Sequence, residues 1–267
     1  MKFRARSSSI ADILGGVDGL TPAQEKKLTE LLDRQELSIT DSKKDLTDNM
    51  KAELADLIEK RDNIKITQGT KTAVEKMVQQ TVYEYVPNRM SNKQTLKGTN
   101  NEDTGVEFYN RVHFTNHSKL VEEDDDYELT DDISIGHPDI TCHIDKKVID
   151  IKLSYTKETF PKTIEEARNS VYEWQVKDYL RKMIVKTGDD SWRHGEIAFI
   201  LVSTPEEDVP PWEEPSLHYV DHLEDHLRYT IVPVYLSDED IKHIERRAEL
   251  AQQYASEYYN VLINKNK

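Results

Sequence analysis

The sequence predicts an α/β fold of the α+β kind, a mixed sheet flanked by helices, and three observations predict it. Segments near both ends and in the middle repeat their apolar residues at helical spacing among charges. Short runs rich in β-branched residues lie between those segments and are too brief for helices. With 9 Gly and 9 Pro in 267 residues, 33% charged and 36% hydrophobic, a helix-rich chain is favoured over an all-β or disordered one.

The elements follow in order. Thr21-Pro22-Ala23-Gln24 sets a hydroxyl at an N-cap, Pro at the first helical position and Gln where a capping box needs it, so a helix begins there and runs to about Arg34. Leu46, Met50, Leu54, Leu57 and Ile58 mark a second helix from Ser42 to Arg61, and the two form a helical hairpin. A third helix, Thr70 to Tyr85, carries Ala73, Met77, Val78 and Thr81 on one side. After a polar, basic stretch from Pro87 to Lys97, a helix starting near Gly98 carries Glu102, Val106, Tyr109 and Val112. Strands are predicted at Ser118 to Val121, Ile133 to Ile144 and Val148 to Leu153, the last two joined as a hairpin by Asp145-Lys146-Lys147. A long helix, Pro161 to Lys186, precedes strands at Glu196 to Ser203 and Tyr229 to Leu236. Ser237 caps a closing helix that runs to about Leu262 with three acids in its first turn. Two regions result: a helical extension over 1–86 and a core over 87–267.

Charge and composition exclude several classes. No apolar run reaches the roughly 20 residues of a membrane-spanning helix. The basic start, Met1 to Ser9, lacks the apolar centre of a secretory signal, so the cytoplasm is expected. A single cysteine, Cys142, excludes an internal disulfide framework and a four-cysteine metal site. The net charge of −15 is unevenly spread. Acids crowd Glu122 to Asp126, Glu128, Asp131 and Asp132, whereas Lys2, Arg4 and Arg6, and again Arg89, Lys93 and Lys97, stand apart from acids. An acidic body with local basic surfaces therefore remains compatible with a phosphate-bearing partner.

Phosphodiester hydrolysis needs a divalent cation and a group that steadies the attacking or leaving oxygen. Asp139 follows Pro138 on the first strand of the hairpin, and Asp150 and Lys152 lie two apart on the second, hence on one face. Ile151 between them points to the opposite face, and its carbonyl is available as an oxygen ligand. Gln175 and Tyr179, four apart, share a face of the next helix near Trp174, Lys177, Arg181 and Lys182. Upstream, Glu102 stands in the first turn of a helix, where it also complements the dipole. An isolated D-x-K triplet is a weak signal; the ordered set is a specific one.

This ordered set of a helical Glu, G-x-P-D, D-x-K and Q-x-x-x-Y resembles the RecB-like branch of the PD-(D/E)xK nucleases, most closely the lambda-exonuclease-like, YqaJ-type viral recombinase nucleases. The motifs span about Lys97 to Met183. The resemblance implies a restriction-endonuclease-like core and a Mg²⁺ or Mn²⁺ site of Glu102, Asp139, Asp150 and the Ile151 carbonyl. It also implies that Lys152 orients or activates the attacking water, and that Gln175 and Tyr179 position the substrate. Arg4 and Ser8, in a stretch similar to the opening of phage members, and Lys97 and His137 are expected substrate contacts. Glu107 is a competing acid on the same helix as Glu102, which is preferred.

The implied activity is a metal-dependent DNA exonuclease that resects duplex ends in phage-type recombination or repair. A single-strand annealing protein is its implied partner, and homo-oligomers occur in the family. An endonuclease or nickase with the same site, or a noncatalytic DNA-binding protein, are the competing readings. His218, His222 and His226 recur every fourth residue, which predicts a polar helix face and leaves zinc as a lesser alternative.

Overall fold

In the computed structural model the described residues are 3–16, 20–38, 45–62, 64–85, 97–98 and 101–265. They form strand β1 (Ala5–Arg6), helices α1 (Ile10–Ile13), α2 (Pro22–Ser38), α3 (Asp48–Asp62), α4 (Gln68–Val82) and α5 (Glu102–His113), then strands β2 (Leu129–Thr130), β3 (Ser134–Gly136), β4 (Ile140–Cys142) and β5 (Lys147–Leu153). Helices α6 (Ile164–Ala167) and α7 (Ser170–Thr187), strands β6 (His194–Ile200) and β7 (Tyr229–Tyr235) and helix α8 (Asp238–Asn264) complete the chain. The mixed α/β class is as the sequence predicts.

The main sheet has the order β4-β5-β6-β7, with β5 and β6 parallel and the outer pairs antiparallel. A parallel pair needs a crossover, and α6 with α7 supplies it. Helices cover both faces. Ile149 and Ile151 meet Val106, Phe108 and Tyr109 of α5 on one side. Val148 meets Val176, Tyr179, Leu180 and Met183 of α7 on the other. A strand buried on both faces reads as a nearly continuous apolar run, so the two charges inside Val148-Ile149-Asp150-Ile151-Lys152 are conspicuous.

A small sheet of order β1-β3-β2 lies beside the main one. It ties the N-terminus to the middle of the chain, Ala5 pairing with Ser134. Phe3, Ile10 and Ile13 then pack with Val74 and Val78 of α4 and Ile244, Ala248 and Ala251 of α8. The α2–α3 hairpin buries Leu28, Leu31, Leu54 and Leu57 in a core of its own.

Caps explain the helix ends. Thr21 and Gln24 exchange the reciprocal bonds of the predicted capping box, and Ser237 and Asp240 do the same for α8. The helix predicted from Ser42 is observed from Asp48, residues 39–44 lying outside the described set, as do Lys2 and the basic stretch with Arg89 and Lys93.

Four expectations are corrected. The segment Ser118 to Val121 is not a strand; Leu120 N–H donates to the Asp139 carbonyl at 3.0 Å, and the Val121 carbonyl accepts from Asp124 N–H in a local turn at 2.8 Å. The strand predicted over Ile133 to Ile144 is two short ones in different sheets, because Pro138 has no N–H for a ladder and the chain bends at 137–139. The helix predicted from Pro161 to Lys186 breaks at Arg168-Asn169, where Asn169 accepts from Val171 N–H and restarts it as α7. Residues 218–226 form no helix: two short 3-10 turns, Pro215–Leu217 and Asp225–Leu227, flank an irregular stretch. His218 is buried rather than solvated, between Thr204 Oγ1 and Glu213 Oε2.

Candidate active site

The bend at 137–139 builds the site. Ile140 pairs with Ile149, so Asp139 falls opposite Asp150 just where the β4 ladder stops. Instead of a backbone partner, Ile151 N–H donates to Asp139 Oδ2 at 2.6 Å. Its carbonyl shares that open edge, since both groups of one strand residue point the same way.

Asp150 and Lys152 lie on the face covered by α7. Asp150 is 1% exposed, and Gln175 Nε2 donates to its Oδ1 at 3.3 Å. The other oxygen, Oδ2, lies 2.7 Å from Lys152 Nζ yet has no hydrogen bond of good geometry among the described residues. The Lys152 ammonium also sits over the Tyr172 ring, 4.9 Å from its centre. Gln175 Nε2 donates as well to Tyr179 Oη at 2.9 Å, and Tyr179 donates to the His137 carbonyl at 3.0 Å. Both side chains are buried. They bolt the bend that carries Asp139 to the strand that carries Asp150.

Two glycines permit this packing. A Cβ at Gly136 would lie 2.3 Å from Ser7 Oγ and 2.7 Å from a Tyr179 ring carbon. A Cβ at Gly105 would lie 2.9 Å from a Leu153 methyl, so the glycine lets α5 press against β5 and brings Glu102, its first residue, to the site's rim. There Glu102 pairs with Lys119. Glu107 is exposed, further along α5.

Burial pushes the Asp139 carboxyl up, the charge of Asp150 adds to this, and Lys152 with the Ile151 N–H only partly offsets them, leaving it at about 7. Burial would lower Lys152, but Asp150 and Asp139 outweigh it and hold the lysine above its ordinary value, hence charged. Two facing carboxylates, one whose buried Oδ2 is held only by the Lys152 ammonium and one resisting ionisation, make a locally acidic pocket that fits a hard divalent cation. Asp139, Asp150 and the Ile151 carbonyl are the donors at hand. Among the described residues no three His, Cys, Asp or Glu side chains converge as a ready-made cage, since the third acid, Glu102, faces Lys119.

The other predicted site residues are more dispersed. His137 is exposed beside the bend, its Nδ1 3.0 Å from the Tyr127 carbonyl. Lys97 is buried, and its ammonium donates to the carbonyls of Tyr155 and Val202 at 2.9 and 2.7 Å, away from Asp150; burial lowers its pKa to about 8. Arg4 lines a groove of about 870 Å³ with Arg6, Ser9, Asp12 and Lys76. Ser8 is exposed on the 3-10 turn Ser7–Ser9 and does not line that groove.

Its neighbour Ser7, not singled out by the sequence, is buried and donates to Asp178 Oδ2 at 2.7 Å. Ser134 donates to the same oxygen at 2.6 Å, and Lys182 and Arg181 pair with Asp178. Burial would raise Asp178, but Lys182, Arg181 and the two hydroxyls hold it below the usual carboxylate range. This cluster locks the N-terminal turn onto α7 next to Tyr179. Asp178 and Lys182, four apart on one helix, were its only sequence signal.

No protein-family model matches the chain, and no curated protein matches its sequence. Solved structures do match its fold. A phage-related exonuclease from Haemophilus somnus 129PT is 19% identical with a TM-score of 0.70, covering 100% of this chain and 98% of its own. An alkaline exonuclease, LHK-Exo, from Laribacter hongkongensis is 15% identical with a TM-score of 0.52, covering 76% of this chain and 87% of its own. LHK-Exo in complex with dAMP is 16% identical with a TM-score of 0.51, over 74% and 86% of the two chains. The chain therefore has the fold of these exonuclease structures.

Proposed function

We propose that the chain is a divalent-cation-dependent DNA exonuclease of the PD-(D/E)xK kind, hydrolysing phosphodiester bonds at duplex ends. The observation that carries this is the facing pair Asp139 and Asp150, with Lys152 beside them and Gln175–Tyr179 holding the two strands in register. The names of the proteins that share the fold support it.

Mg²⁺ or Mn²⁺ held by Asp139, Asp150, the Ile151 carbonyl and Glu102 would neutralise charge on a scissile phosphate and acidify a bound water. The side chains do the rest. Lys152, kept charged by its acids, cannot take a proton and acts as a hydrogen-bond donor that orients the attacking oxygen or steadies the charge built up on the phosphate. Tyr172 beneath it fixes its direction. Gln175 and Tyr179 act by positioning. Arg4, Arg6 and Lys76 make no ion pair among the described residues and give the approaching strand a cationic groove, Asp12 being the acid that also lines it.

Incubation with Mg²⁺ and equal masses of linear duplex and covalently closed circular DNA tests the reading. Linear DNA should vanish while the circle survives. Nicking or cutting of the circle would make the protein an endonuclease with the same metal site, and inertness toward both would leave a DNA-binding protein.

A further inference from the structure

Lys119 reaches Glu102 because its segment is held on two sides. Asn110, in the last turns of α5, receives Thr115 Oγ1 and His117 N–H on its side-chain oxygen at 2.9 and 2.8 Å and donates its amide to the His117 carbonyl at 2.8 Å. This clamp folds the chain back along the helix that begins at Glu102. Three residues later, Leu120 N–H is anchored on the Asp139 carbonyl. Lys119 is thus fixed between the first acid of the site and the second, and its ammonium takes the Glu102 carboxylate. The pair is only partly covered, with side-chain exposures of 33% and 36%, so solvent and ions can reach it.

We infer that Lys119 is an internal counter-cation for Glu102, which a divalent ion must displace to complete a site of three carboxylates. Lys119 is then a positioning residue that sets metal affinity, distinct from Lys152. The inference rests on the divalent-cation reading of the site. It accounts for Glu102 facing a partly exposed lysine of its own, whereas Asp139 and Asp150 face each other across the buried ion pair of Asp150 with Lys152. An ion pair of this exposure is weak, which suits a contact made to be exchanged.

Mn²⁺ titration of the full-length, metal-stripped protein by calorimetry tests this without any turnover. Lys119→Met should bind Mn²⁺ roughly two- to fivefold more tightly than wild type, the scale of a partly exposed ion pair. Lys119→Arg should bind like wild type, and Glu102→Gln more weakly. In the Glu102→Gln background, adding Lys119→Met should bring no gain, because the competition has gone. A gain that persists there would mean that Lys119 acts only through its distant charge, and unchanged affinity in Lys119→Met would mean that it does not compete; either overturns the inference while the metal site stands. Wild-type protein that takes up no Mn²⁺ would instead overturn the metal site itself, and this inference with it.

Discussion

Asp139 bears its negative charge at a cost when no cation is bound. Its carboxyl, ordinarily ionising at 3.8, is raised to about 7 by burial and by Asp150. Between these values the folded chain keeps a proton that the unfolded chain has released, so stability is highest at the acidic end and falls as pH rises through the window. Metal-free protein should therefore lose stability from pH 5 to pH 7.5, on the order of 2 kcal/mol from this group. Asp139→Asn should flatten that slope in paired thermal melts; an unchanged slope would assign the effect elsewhere. Residues of this kind were legible in the sequence where close spacing or a short turn carries them. Asp150 with Lys152, Asp139 across the hairpin, and Gln175 with Tyr179 all meet as their positions predict. Partners far apart were not. Ser7 meets Asp178 across 171 positions, and Lys119 finds Glu102 only because Asn110 folds the chain back.

At the scale of elements, the site depends on a strand that fails to continue. Pro138 ends one short strand before the next begins, and the freed bend turns the Asp139 carboxylate onto Ile151 N–H. The stretch Ile133 to Ile144 reads as one strand from its β-branched residues, yet its apolar positions change phase across Pro138, from Ile133 and Ile135 to Ile140, Cys142 and Ile144. Only which sheet each half joins, β3 pairing with β1, is set by tertiary contacts that no local pattern carries. The same limit hid the break before α7, where a single asparagine cap outweighs continuous helical periodicity. Gly136 tests how tightly the bend is packed. A methyl there meets Ser7, itself pinned by Asp178 and Lys182, and the ring of Tyr179, so neither neighbour yields easily. Gly136→Ala should cost about 1–3 kcal/mol, the range for an overpacked interior, seen as a lower midpoint in urea. An unchanged midpoint would mean that the N-terminal turn shifts freely, against the interlocked picture.

For the molecule as a whole, the two sheets and the flanking helices converge on one rim. The N-terminal turn, the bend before β4, the centre of β5, the start of α5 and one face of α7 all meet there. A chain of net charge −15 keeps Arg4, Arg6 and Lys76 unpaired among its described residues on one groove, close to that rim through Ser7. This is the distribution expected of an acidic body that engages phosphates locally. No described helix is long and apolar enough to cross a membrane. The overall class was legible from periodicity; the joining of the N-terminus to the core was not, since β1 is two residues long and its partner lies far along the chain. The proposed cation-dependent phosphodiesterase centre is built from Asp139, Asp150 and Lys152. The most direct measurement follows end-labelled linear duplex with wild-type and Lys152→Ala protein, each with and without Mg²⁺, after circular dichroism has shown both folded. Nucleotide release by the wild type with Mg²⁺ alone, and at least a hundredfold slower release by Lys152→Ala, is the result predicted from the usual loss on removing an electrostatic donor. Equal release by the two proteins, or release that ignores Mg²⁺, would contradict it.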